Sequence, residues 1–130
     1  MTDRPIEPRL DPETIQEIQK GVDEFNSGRF FECHDTLEEV WRGIRGPARD
    51  FFQGLIQVSV GFYHLRNGNL AGGESQLAKG LKKLEAYGEA YAGFELANLR
   101  SAVQAWLDRV SRGDELKGTL EDLPKYHFSL

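Results

Sequence analysis

The stretch that decides the fold is Phe30-Phe31-Glu32-Cys33-His34-Asp35-Thr36-Leu37-Glu38-Glu39-Val40-Trp41-Arg42. At about 100° per residue, most of its apolar side chains fall on one face of a helix. His34 falls inside that apolar arc, and Glu38 lies one turn further on at its edge. Both groups are costly to bury without a polar partner. The stretch therefore predicts an amphipathic helix with a polar cluster in its packing surface.

A second run, residues 48–67, is the most apolar part of the chain and predicts a buried central helix. Polar residues interrupt it in one narrow stripe, made of Asp50, Gln53, Gln57 and His64. Gly54 and Gly61 lie beside the stripe, and small residues at this spacing let a neighbouring helix approach closely. If the two glycines face outward, that neighbour is a second copy, and the chain self-associates.

Three further patterns predict helices around these two. Asp11 before Pro12 is a helix-start signal and opens the first helix. A leucine pattern after the Asn67-Gly68-Asn69 turn predicts a fourth helix, and an apolar 3-4-3-4 seam predicts a fifth. A faint repeat, offset by about 40 residues, relates the first helical hairpin to the second.

The predicted fold is therefore an all-α, single-domain bundle of about five helices built from helical hairpins and spanning residues 1–130. Residues 1–10 are expected to form a loose N-terminal arm. Residues 114–130 are expected to form an extended C-terminal tail.

Composition limits the function classes. Of the 130 residues, 39% are hydrophobic and 28% are charged, as in ordinary globular domains. The net charge of −5 argues against nucleic acid and anionic membranes as partners, because no basic surplus is available to neutralise phosphates. No apolar run is long enough to span a bilayer, and no signal-peptide core is visible. Cys33 is the only cysteine. We expect a cytoplasmic protein.

Three motifs together carry a resemblance to a known family. They are Phe30-x3-His34-x3-Glu38-x2-Trp41-Arg42, then Gln53-Gly54-Leu55-Ile56-Gln57, then Tyr63-His64-x4-Asn69. This combination resembles a family of small all-helical proteins of bacteria, archaea and plants that is catalogued as a domain of unknown function. The resemblance covers roughly Val22 to Leu84. It implies a helical bundle and no established activity.

The sharpest hypothesis for a site is a divalent metal or a small ligand. His34 and Glu38, one turn apart, can converge on one ion, and His64 or Asp50 of the stripe would complete the set. Imidazole and carboxylate suit zinc, iron or manganese. We commit to no metal, because a His/Glu pair at this spacing is common by chance.

The competing hypothesis is a buried hydrogen-bond network. Its members are His34, Glu38, Arg42, Gln53, Gln57 and His64. Glu38 can pair with Arg42 in the favoured i, i+4 orientation, and His34 can bond Glu38 or a glutamine. Nucleophilic catalysis by Cys33 is disfavoured, because adjacent residues on a helix point about 100° apart and His34 cannot readily activate the thiol.

No complete catalytic set is visible in the sequence. The function predicted is therefore a non-enzymatic binding or scaffold module centred on a buried His/Glu cluster, with a protein or a second copy as partner. The alternative is a metal-dependent hydrolase, or another small-molecule enzyme, that uses His34, Glu38 and His64.

Overall fold

The computed structural model describes residues 5–114, 116 and 122–130. Its helices are α1 (Pro12–Asn26), α2 (Phe30–Gly43), α3 (Ala48–Arg66), α4 (Leu70–Leu84) and α5 (Ala97–Ser111). A 3-10 turn (Glu85–Tyr87) and a two-stranded antiparallel hairpin, β1 (Ala90–Tyr91) and β2 (Phe94–Glu95), separate α4 from α5. The predicted all-α bundle is confirmed. The small hairpin was not predicted, because two-residue strands are too short to show alternation.

The two helical hairpins close with the same turn. Gly28 and Gly68 both adopt a left-handed conformation, with φ of 77° and 79°. The residue after each glycine donates its backbone N–H to a carbonyl oxygen of the preceding helix. Arg29 donates to Glu24 and Asn69 donates to His64, both over 2.8 Å. The repeat predicted from the sequence is therefore a repeat of turn geometry.

Glycines hold α3 close to α4. A Cβ added at Gly61 would lie 2.6 Å from Leu77 Cδ2, and one at Gly54 would lie 3.3 Å from the Gly80 carbonyl oxygen. Gly54 and Gly61 thus face α4 of the same chain, and both are buried. The premise of self-association through these two glycines is therefore wrong, since the close neighbour is intramolecular.

Aromatic side chains fill the centre of the bundle. Phe51, Phe52 and Phe62 of α3 are fully buried, as is Phe94 of β2. Phe51 contacts the rings of Phe52, Tyr87, Tyr91 and Phe94 edge to face. The prediction that α3 is the central helix is confirmed.

Both ends of the described chain contact the β-hairpin. The Tyr91 hydroxyl donates to the Ile6 carbonyl (2.7 Å), and the Ala92 N–H donates to the Glu7 carboxylate (2.6 Å). These bonds hold Ile6 and Glu7, within the arm that the sequence predicted to be loose, because the hairpin offers them partners. Of the predicted tail, residues 122–130 cross the bundle without helix. Residues 1–4, 115 and 117–121 lie outside the described residues.

Within the described ranges, no helix combines the length and the hydropathy that crossing a membrane requires.

The α3–α4 contact leads to a stability prediction. We expect Gly80→Ala to lower the free energy of unfolding by about 1–3 kcal/mol, as overpacking does. The added Cβ would lie 2.8 Å from the Gly54 carbonyl oxygen and 3.1 Å from the Val58 nitrogen, and neither backbone atom can rotate away. Gly43→Ala is the matched control, since a Cβ there meets nothing within 4 Å. Equal urea midpoints for the two variants would contradict the prediction.

Candidate functional site

A continuous chain of ion pairs runs along α2. His34 Nε2 lies 3.1 Å from Glu38 Oε2, and His34 Nδ1 lies 3.3 Å from Asp35 Oδ1. Arg42 Nη2 is 3.1 Å from Glu38 Oε1, and Arg42 also pairs with Glu39. The His34–Glu38 and Glu38–Arg42 pairs are the ones that the spacing suggested. The imidazole can donate to both carboxylates only when both of its nitrogens carry hydrogen.

This cluster is not buried, which corrects the expectation from the sequence. The His34 side chain is 28% exposed and that of Glu38 is 36% exposed. The buried side of α2 is shifted away from His34, because it includes Thr36 on its far side. The buried residues are Phe30, Cys33, Thr36, Leu37 and Val40. Ion pairs exposed to this degree contribute little to stability. The cluster is therefore a surface feature.

An aromatic row connects α2 to α3 beside this cluster. Ring centroids are 5.9 Å apart between His34 and Phe31, 5.6 Å between Phe31 and Tyr63, and 5.9 Å between Tyr63 and His64. Phe31 is 50% exposed. We call the surface formed by Phe31, His34, Asp35, Glu38, Tyr63 and His64 the α2–α3 face.

The candidate metal ligands have other neighbours. His34 contacts Phe31, His64 contacts Tyr63, and His64 Nδ1 has Asn69 Nδ2 as its neighbour at 3.4 Å. Asp50 lies near Tyr87. Burial raises the pKa of the Tyr87 phenol, and the Asp50 charge raises it further. Among the described residues, no group of three or more His, Cys, Asp or Glu side chains is arranged to hold a metal ion.

α2 and α3 each carry one buried polar atom without a partner among the described residues. The helices are antiparallel, with Phe31 beside Tyr63 at one end and the Arg49 guanidinium 3.8 Å above the Trp41 ring at the other. Within the described chain, Trp41 Nε1 and Gln57 Oε1 are buried without a hydrogen-bond partner. Gln53 is half-buried on the same helix as Gln57. An unmade bond of this kind costs stability.

Cys33 belongs to the core. It is fully buried, and burial raises the pKa of its thiol to about 12, with the nearby Glu24 charge adding to the increase. Such a thiol is a poor nucleophile. Glu24 itself is only 6% exposed, and its Oε1 has no hydrogen-bond partner among the described atoms. Sequence reasoning missed Glu24, because a charged residue beside a helix end gives no signal of burial.

The α2–α3 face is open. Three grooves of about 330, 450 and 440 Å³ lie on the described surface, and none of the three is lined by His34 or Glu38. The first lies between the start of α1 and the end of α2, where Glu39 lines its wall. None of these three grooves is the pocket expected around His34 and Glu38.

Part of the chain matches a known protein family. Residues 18–75 match the family described as Domain of unknown function (DUF309). The resemblance predicted from the motifs is thus confirmed, and residues 18–75 contain every residue of the α2–α3 face.

Two relatives carry no assigned activity. The chain is 38% identical over 65 residues to the uncharacterized protein YpuF of Bacillus subtilis (strain 168), covering 48% of this chain and 37% of that protein. It is 25% identical over 96 residues to an uncharacterized protein of Aquifex aeolicus (strain VF5), covering 72% of this chain and 29% of that protein. The matched part is thus about a third of each relative's length.

The unpaired Oε1 of Gln57 provides a test of the packing around α3. We expect Gln57→Met to raise the free energy of unfolding by about 1 kcal/mol, because it removes an unbonded buried acceptor while keeping the side chain's length. Chemical denaturation measures the change. Gln53→Met, at a half-buried position on the same helix, is the control. A destabilised Gln57→Met variant would contradict the prediction, because it would show that the Gln57 amide is hydrogen-bonded in the folded protein.

The buried thiol predicts alkaline sensitivity. Between pH 9.0, the thiol's ordinary pKa, and about 12, the unfolded chain releases a proton that folded Cys33 retains, so stability falls as pH rises. We expect wild type to lose roughly 2 kcal/mol more than Cys33→Ala between pH 7 and pH 10.5. Tyr87 contributes equally in both proteins. Burial, the larger cause of the raised pKa of Tyr126, is also common to both, and only the smaller contribution of the Cys33 charge is lost in the variant. Urea denaturation measures the loss of unfolding free energy. Equal losses in the two proteins would contradict a raised pKa at Cys33.

Proposed function

We propose that the protein is a non-enzymatic binding module whose α2–α3 face holds a basic amphipathic helix of a partner protein. The observation that carries this proposal is the half-exposed Phe31 ring, placed between His34 and Tyr63 and beside the α2 carboxylates. Exposed aromatic side chains with a charged surround are typical of protein-binding surfaces.

The aromatic row supplies the anchor for such a partner. Phe31 contacts His34 on its own helix and Tyr63 on the next, so its ring is held from two sides while half of its surface remains open. A ring positioned in this way loses little side-chain entropy when it is covered. An apolar partner side chain packed on Phe31 and Tyr63 would remove that surface from water.

Charge defines the chemistry of the partner. The α2–α3 face carries two carboxylates, Asp35 and Glu38, and neither lysine nor arginine is among its residues. Arg42 is engaged with Glu38 and Glu39. The face therefore attracts lysine and arginine side chains, in keeping with the net charge of −5 of the whole chain.

Spacing favours a helix as the bound form. Phe31 and Glu38 are seven residues apart on α2, which separates them by about 10 Å along the helix axis. A partner helix reproduces that distance with an apolar residue and a lysine or arginine seven positions apart on one face.

The test uses a defined probe. A fluorescently labelled synthetic helix, with leucine on one face and lysine seven residues from each leucine, is titrated with the protein and followed by fluorescence anisotropy. We expect saturable binding that weakens about tenfold for Phe31→Ala and for Glu38→Lys, the usual effect of removing one anchor. Amide shifts in a nitrogen–proton correlation spectrum should concentrate on α2 and on the end of α3 that carries Tyr63.

Matched controls separate this face from general attraction to an acidic protein. Leu70→Ala removes another exposed apolar side chain, and Glu85→Lys makes the same charge change on an exposed residue elsewhere. Both should bind as wild type does. The proposal fails if the controls weaken binding as much as the test variants, or if no saturable binding occurs.

A further inference from the structure

The backbone of the tail segment, residues 122–130, is hydrogen-bonded to α1. Asn26 of α1 donates from Nδ2 to the Tyr126 carbonyl (2.9 Å), and its Oδ1 accepts from the Tyr126 N–H (2.8 Å). One side-chain amide thus pairs with both backbone groups of one residue, as a neighbouring strand would. Lys125 Nζ adds a bond to the Asn26 carbonyl (2.7 Å).

Beyond Tyr126, the segment pairs with the β-hairpin. Phe94 and Phe128 form an antiparallel bridge. The Glu95 N–H donates to the His127 carbonyl (3.0 Å), and the Ser129 N–H donates to the Gly93 carbonyl (2.9 Å). Adding an extended segment to a sheet edge is the β-augmentation mode of peptide recognition.

Side chains on alternate residues supply selectivity. The Tyr126 ring stacks on Phe25 with centroids 3.7 Å apart and planes 6° from parallel, and its hydroxyl donates to the Leu55 carbonyl (2.6 Å). Phe128 lies on Phe94 with centroids 4.8 Å apart. His127, between them, is exposed. Successive side chains of an extended strand point to opposite sides, so a groove contacts every second side chain. The two inward aromatic rings are therefore the residues that such a groove recognises.

We infer that Phe25, Asn26, Leu55 and β2 form a peptide-binding seat for an extended Lys-Tyr-x-Phe segment, which the tail segment of a second copy can occupy in place of the chain's own. A second copy is the occupant that the contacts specify, since its tail reproduces every bond and both aromatic contacts. Reciprocal exchange preserves the same contacts in both chains, which makes it a low-cost route to association. This inference does not depend on the function proposed above.

The test supplies the second copy's tail as a peptide. The full-length Tyr126→Ala variant, whose own tail has lost its main anchor, is titrated with a synthetic peptide of residues 122–130. We expect a saturable increase in melting temperature of about 5 °C at excess peptide. The same peptide carrying Tyr126→Ala should produce no increase. If the variant does not fold alone, circular dichroism should show helix returning as wild-type peptide is added.

A second variant checks that the peptide occupies the seat. Adding Asn26→Ala to Tyr126→Ala should abolish the rescue, because the peptide backbone loses the amide that pairs with it. Rescue that persists in the double variant would place the peptide elsewhere and overturn the inference. Failure of the wild-type peptide to change either the melting temperature or the helix content would also overturn it.

Discussion

The close contact of α3 with α4 is the constraint on which the rest of the structure depends. Gly80 backs directly onto the Gly54 carbonyl and Val58, so the two helices meet backbone to backbone. α4 covers one side of α3, and the aromatic side chains of the β-hairpin pack on Phe51. α2 packs on a remaining side of α3. Tyr63 then meets Phe31 at the surface, where it forms the aromatic row beside the ion pairs of α2. The position of the α2–α3 face thus follows from how α3 is buried.

The two hairpins are built on the same packing device. A Cβ at Gly21 would lie 2.9 Å from Leu37 Cδ2, and a Cβ at Gly61 would lie 2.6 Å from Leu77 Cδ2. In each hairpin, a glycine on the first helix receives a leucine from the second. The hairpins diverge on their outer surfaces, since α2 carries a chain of ion pairs with Asp35, Glu38 and Arg42 while α4 ends in Lys82 and Lys83. A shared interior with different exteriors is consistent with a fold that presents one specialised face.

Much of the fold could be predicted from sequence, and less of the site. Helical periodicity, the Asp11-Pro12 start and the glycine turns locate the helices, because these signals are local. Spacing also gave the His34–Glu38 pair, since i, i+4 neighbours are fixed by helix geometry. Exposure of that pair and the different ring neighbours of His34 and His64 depend on how α2 and α3 are positioned, which periodicity does not determine. The burial of Glu24 and the docking of Tyr126 on Asn26 depend on contacts distant in sequence, so neither left a local signal.

The α2–α3 face depends on contact of the Phe31 ring with both His34 and Tyr63. Aromatic nuclear Overhauser spectroscopy on selectively labelled protein measures this most directly. We expect cross-peaks from the Phe31 ring to the rings of His34 and Tyr63, and a further one from Tyr63 to His64. A direct cross-peak between His34 and His64, with none from Phe31 to Tyr63, would contradict this arrangement, because the histidines would then converge as ligands of a common site.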